Sequence, residues 1–195
     1  MCCVRQRNPL MTAALAFFVA FVKHPFQVGS VVSSSQCLLR RVVAAAEVGS
    51  ASTIVELGPG NGGSTRAILD AAPRHTRLLS IEVNPHLHEL VSGIKDRRLI
   101  SHLGDARRLK EILSLYGLGT PEVVISGIPF STMNVPAASL LLREISSLLA
   151  PGGRFVAYQV SSRVASLTRP LMGKEQMEVE LFNIPPMRVY RWQKR

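Results

Sequence analysis

The chain has 195 residues, of which 47% are hydrophobic, and a formal net charge of +10. That length builds one sizeable core and excludes two ordinary domains. Its three cysteines, Cys2, Cys3 and Cys37, are odd in number with two adjacent, which excludes a disulfide framework and suits a reducing, cytoplasmic setting.

The basic charge sits at the two ends. No acidic residue precedes Glu47, whereas Arg5, Arg7, Lys23, Arg40 and Arg41 do, and beyond Glu180 only Arg188, Arg191, Lys194 and Arg195 are charged. Such ends attract an anionic partner, either a nucleic-acid backbone or acidic lipid headgroups. His86 and His88 stand two apart on an expected helix and diverge, so no metal site is expected.

Pro9 to Val22 is a run of 14 uncharged residues. As a helix it spans about 20 Å, short of the roughly 30 Å hydrocarbon core of a bilayer. A helix over 10–23 is sided, with Leu10, Met11, Leu15, Phe17, Phe18, Phe21 and Val22 on one half. Four of the seven phenylalanines fall within the first 26 residues, beside the basic charges, which suits a helix lying in a membrane interface. The same stripe equally suits docking on the core. His24-Pro25 stops this helix, and Ser33 with Gln36 has capping-box spacing for a second helix over 37–47.

From residue 53 the pattern alternates. Strands are expected near 53–57, 78–83, 99–103, 122–126 and 154–159, with helices near 64–72, 86–94, 106–116 and 136–149. Two further strands, 177–182 and 187–193, follow with no helix between them. The expected fold is α/β: a Rossmann-like, seven-stranded, mostly parallel sheet with an antiparallel C-terminal edge hairpin and helices on both faces. Residues 1–50 form an N-terminal helical segment in this reading, and 51–195 the main domain.

The first strand runs into Gly58-Pro59-Gly60-Asn61-Gly62-Gly63, a turn that lets backbone approach a ligand. Gly58, Gly60 and Gly63 also satisfy the dinucleotide fingerprint, with Glu82 about 20 residues on, so a nicotinamide enzyme must be considered. Glu56 before the turn, the proline inside it, Asp105 after the third strand and the terminal hairpin speak against it.

Those features, with Glu56, Gly58, Gly60 and Gly62 matching an acid-x-Gly-x-Gly-x-Gly motif, resemble class I S-adenosylmethionine-dependent methyltransferases from Thr53 to Arg195. The resemblance implies S-adenosyl-L-methionine as cofactor. It places the glycine turn against the methionine part, Glu82 on the ribose hydroxyls and Asp105 on the adenine amino group. Asp105 is also placed to cap the following helix, and one residue can serve both roles.

The fourth strand ends in Ser126-Gly127-Ile128-Pro129-Phe130. Methyltransferases acting on the amino group of adenine, including ribosomal RNA dimethylases, carry Asn or Asp where Ser126 stands; Pro129-Phe130 keeps that alternative in play. The chain is also similar to the bacterial phospholipid N-methyltransferases, which act on phosphatidylethanolamine. The matches are Lys23-His24-Pro25-Phe26-Gln27-Val28-Gly29-Ser30, then Ser126 to Pro129, then Asn183-Ile184-Pro185-Pro186-Met187-Arg188-Val189-Tyr190. Where that family carries a proline before paired serines, Val32 stands here.

This resemblance implies methyl transfer to a lipid amine by a cytoplasmic protein associated peripherally with an anionic membrane. Tyr158 and Ser126 are the catalytic candidates, and Ser126 is also a cofactor-side candidate. Phe26, Pro129 and Phe130 are candidates for the substrate entry, and Arg40 or Arg163 for the lipid phosphate. A methyltransferase for another small amphipathic substrate, and a protein that binds cofactor without turnover, are the further alternatives.

Overall fold

The computed structural model describes residues 34–183 and 185–195. The expected 10–23 helix, Phe26 and Ser33 therefore lie outside the described residues. Helix α1 (Gln36–Ala46) starts one residue earlier than the spacing suggests, because Ser35 is its cap: the Ser35 hydroxyl accepts the Leu38 N–H at 3.1 Å.

The five expected parallel strands form as β1 (Thr53–Leu57), β2 (Arg77–Glu82), β3 (Leu99–Leu103), β4 (Val123–Ser126) and β5 (Arg154–Gln159). Between them run α2 (Gly63–Ala71), α3 (Pro85–Ser92), α4 (Leu109–Leu115) and α5 (Val135–Leu148). A short 3-10 turn, Ala106–Arg108, precedes α4, so the helix expected from 106 starts later. One element escaped the sequence pattern: α6 (Arg163–Met172) follows β5, with Pro170 in its last turn. Strands β6 (Gln176–Glu180) and β7 (Met187–Gln193) complete the sheet.

The strand order is β3-β2-β1-β4-β5-β7-β6, parallel except for β7, which pairs antiparallel with both neighbours. Strands β1 and β4 are buried almost throughout, as central parallel strands covered on both faces must be. On one face Val55, Leu79, Val124 and Phe155 meet α4, α5 and α6 through Leu109, Leu141 and Val164. On the other, Ile54, Leu78, Ile125 and Val156 meet α1 and α2 through Leu38, Val42 and Ile68. Helix α1 thus shares the main core, and residue 50 is no break in packing. β7 feeds both faces, Trp192 stacking on Phe155 at 5.3 Å and Val189 facing α1.

The order reverses between β1 and β4. Chains leaving these two strands turn to opposite faces and open a crevice at their carboxyl ends, where open α/β sheets bind ligands.

Candidate active site

Two glycines occupy that crevice. The Gly58 N–H donates to the Ile81 carbonyl at 2.9 Å and the Gly127 N–H to the Leu57 carbonyl at 2.9 Å, so each turn is tied to the neighbouring strand. Gly58, Gly60 and Gly62 have φ of +70°, +59° and +83°, whereas Gly63 is an ordinary helical residue opening α2. The left-handed positions therefore follow the methyltransferase spacing and not the dinucleotide one. Gly58 and Gly60 line a cavity of about 810 Å³, while Gly62 lies behind it as the cap of α2. That volume is near the upper end of the roughly 300–1,000 Å³ typical of small-molecule sites.

Glu82 lines the cavity from the end of β2. Its Oε2 accepts the Gly60 N–H at 3.3 Å and its Oε1 the Asn84 N–H at 2.9 Å, which ties the glycine turn to β2 and leaves acceptor capacity for a ligand hydroxyl. Burial pushes its carboxyl above the ordinary range, and the backbone N–H bonds work the other way. Asn84 in turn caps α3 and also lines the cavity; an Asn-Pro step after a strand is the sequence signal for it. Asp105, reached through Gly104, lines the same wall and caps the 3-10 turn through the Arg107 N–H at 2.9 Å. The Arg107 guanidinium beside it lowers its pKa.

Glu56 does not line the cavity. It is 1% exposed, and its carboxylate accepts hydroxyl protons from Ser64 (2.5 Å), Thr65 (2.6 Å) and Ser80 (2.9 Å). Burial raises its pKa, and those hydroxyls oppose the rise. Its place is behind the turn, where it joins β1, β2 and α2.

Ser126 is also withdrawn from the cavity wall. It is 0% exposed and its hydroxyl accepts the Ile128 N–H at 3.2 Å, so it shapes the turn instead of meeting a ligand. The residue that decides this segment is Gly127. A Cβ there would lie 2.5 Å from the Tyr158 hydroxyl and 2.7 Å from the Gly58 carbonyl, positions no side chain can share. Pro129 lines the cavity as expected, but Phe130 is 0% exposed and belongs to the α5-side core. An apolar ring beside a proline reads the same in sequence whichever way it points.

Tyr158 lines the cavity with its hydroxyl turned inward, donating to Ser64 at 3.4 Å, so Tyr158, Ser64 and Glu56 form a buried chain. Burial and the neighbouring carboxylate of Glu56 raise its pKa. Next to it, Gln159 Nε2 donates to the Ile128 carbonyl at 2.6 Å and fixes the turn from β5. Arg163 does not reach the cavity; as the first residue of α6 it donates to the Ser131 carbonyl at 3.3 Å. Arg40 is exposed on α1, away from the cavity wall.

The opposite wall joins distant parts of the chain. The Ser35 N–H donates to Asn183 Oδ1 at 2.9 Å, and Asn183 Nδ2 donates to the Pro185 carbonyl at 2.9 Å. Ser34, Asn183, Pro185 and Met187 all line the cavity. Met133, from the loop before α5, also reaches it, with no periodic sequence signal to mark it.

No family model matches the chain. It is 30% identical over 141 residues to the ornithine lipid N-methyltransferase of Singulisphaera acidiphila, covering 71% of this chain and 73% of that protein. It is 34% identical over 119 residues to ribosomal RNA small subunit methyltransferase A of Rhodococcus opacus, covering 56% of this chain but only 37% of that relative's length. In three dimensions it is similar to the O-methyltransferase TomG of Streptomyces achromogenes, solved in complex with SAM, at 14% identity. The TM-score is 0.68, with 99% of this chain and 93% of that one covered. The N-methyltransferase NodS of Bradyrhizobium japonicum superposes with a TM-score of 0.66 at 12% identity, covering 80% of this chain and 93% of that one. These two likenesses establish the fold.

Proposed function

The chain belongs to the family of S-adenosylmethionine-dependent methyltransferases that includes the ornithine lipid N-methyltransferase, and from that premise we propose that it methylates the amine of a lipid headgroup. The observation that carries this reading is the Ser35–Asn183 hydrogen bond. It seats the residues just after the basic N-terminal stretch and the Asn183 to Met187 segment on the same cavity as Glu82. The Asn183 segment and the stretch leading to Ser34 are two of the three places where the chain resembles phospholipid N-methyltransferases. Phosphatidylethanolamine is the acceptor that this resemblance favours, and an ornithine-containing lipid the one that the relative's name favours. The protein works at the cytoplasmic surface of a membrane in this reading.

The cavity suits S-adenosyl-L-methionine on its own geometry. Gly58 and Gly60 bring backbone in left-handed conformation to the cavity wall, and Glu82 offers a carboxylate to paired hydroxyls. Asp105 offers an acceptor to an exocyclic amine. When bound, the cofactor supplies a sulfonium-activated methyl group, so the protein's task is chiefly to position the acceptor. Tyr158 lines the cavity with its hydroxyl donating inward to Ser64, so its ring is the part left to meet an amine. Glu82 also accepts from Gly60 and Asn84, and Asp105 from Arg107, which fixes both carboxylates while leaving acceptor sites for a ligand. A protonated amine cannot attack, so its proton leaves first, to water or to a nearby acceptor.

The RNA reading rests on the match to the ribosomal RNA enzymes. Phe130 weighs against it: sealed in the core, its ring has no face to offer an unstacked base. Incubation with methyl-labelled cofactor and vesicles containing phosphatidylethanolamine or an ornithine lipid tests the proposal; label in the lipid amine supports it.

A further inference from the structure

The turn between β6 and β7 carries two bulky apolar side chains in the open: Leu181 is 70% and Phe182 is 82% exposed. Its residues 180–183 are tied down. The Phe182 N–H donates to Glu180 Oε1 at 2.8 Å, the buried Glu180 carboxylate pairs with Arg41 of α1, and Asn183 is held by Ser35 and Pro185. Phe182 and Asn183 are therefore held in place while the Leu181 and Phe182 side chains are left in water, next to a residue that lines the cavity. Val179, 43% exposed, continues the apolar row from the edge strand.

Resting on the lipid-amine reading, we propose that Leu181 and Phe182 are a membrane-insertion tip that seats the cavity mouth on the bilayer. Position and charge argue for a bilayer as occupant. The tip adjoins Asn183, so a bilayer that receives it lies against the cavity edge from which a lipid amine must enter. Arg188 pairs with Gln159 at the carboxyl end of β5 and Arg163 opens the next helix, which puts two cations at the carboxyl end of the sheet, their guanidinium groups donating to the Val160 and Ser131 carbonyls. The acids of β6 nearest the tip, Glu178 and Glu180, are both paired with Arg41, so the apolar tip and the cations of the sheet end match the acyl region and anionic headgroups of a leaflet.

The experiment uses the full chain and vesicles of phosphatidylcholine with phosphatidylglycerol. A Phe182→Trp variant is titrated with vesicles bearing brominated acyl chains, and a Phe182→Ser variant is compared with the unaltered protein by flotation, with cofactor affinity measured for both. The tip predicts vesicle-dependent quenching of the new tryptophan above that of the buried Trp192. It also predicts about a tenfold or greater loss of vesicle partition for Phe182→Ser, with cofactor affinity unchanged. Vesicle binding without quenching, flotation of Phe182→Ser equal to that of the unaltered chain, or no vesicle binding by either overturns it. If residues 1–33 cover the tip instead, the tryptophan is shielded from the brominated lipid, which is also an overturning result. Methyl transfer to detergent-dispersed lipid separates the two claims. Transfer with normal flotation of Phe182→Ser removes the tip and keeps the function; quenching with no transfer to lipid does the reverse.

Discussion

The backbone N–H of Gly60 donates to the carboxylate of Glu82 across 22 residues, so the group proposed to hold the ribose also holds the turn proposed to hold the rest of the cofactor. Glu82→Ala then removes a ligand acceptor and loosens the turn together. Affinity for S-adenosyl-L-methionine is expected to fall about 100-fold, near 3 kcal/mol, measured by calorimetry. Affinity for NAD is expected to be negligible in both proteins.

Gly127→Ala places a methyl group against the Tyr158 hydroxyl and the Gly58 carbonyl. One of those neighbours is backbone and cannot swing away. A stability loss of about 1–3 kcal/mol is expected in denaturant unfolding, with partial recovery in the double variant with Tyr158→Phe, which removes the nearer atom.

Glu56→Ala strands three buried hydroxyls and leaves a cavity in the core, and about 2–4 kcal/mol of stability should be lost. Tyr158→Phe removes only a 3.4 Å bond and should cost less than about 1 kcal/mol. Thermal unfolding of the two variants side by side checks the order.

Arg98 holds the Asp96 carboxyl down to about 2. A carboxylate whose folded pKa is depressed stabilises the fold above its unfolded pKa and loses that contribution as pH falls through the folded one. The Tm difference between the unaltered chain and Asp96→Asn should hold above pH of about 4 and vanish by pH of about 2, as read by scanning calorimetry.

The alternation of strands and helices from Thr53 to Gln159 was legible because each period differs sharply from the next. Helix α6 was not: its basic and polar residues and Pro170 weaken the helical pattern, and tertiary contacts of Val164 and Ala165 hold it. Within the site, Glu82, Asp105 and Pro129 stand on the cavity wall where the sequence pointed. Glu56, Ser126 and Phe130 were singled out by type and position, but direction decides their role, and all three turn into the core. Gly127 lay inside a recognised motif, yet its importance depends on how closely Tyr158 and Gly58 approach it, a distance no spacing encodes. Asn183 likewise needed Ser35, 148 residues away, to show what it holds.

The central claim is that this cavity delivers a methyl group to a lipid amine. Methyl-labelled S-adenosyl-L-methionine, offered total lipid and total RNA in parallel, tests it most directly. Label is expected in an amine-bearing lipid and is lost in Glu82→Ala. Label in RNA with none in lipid would contradict it.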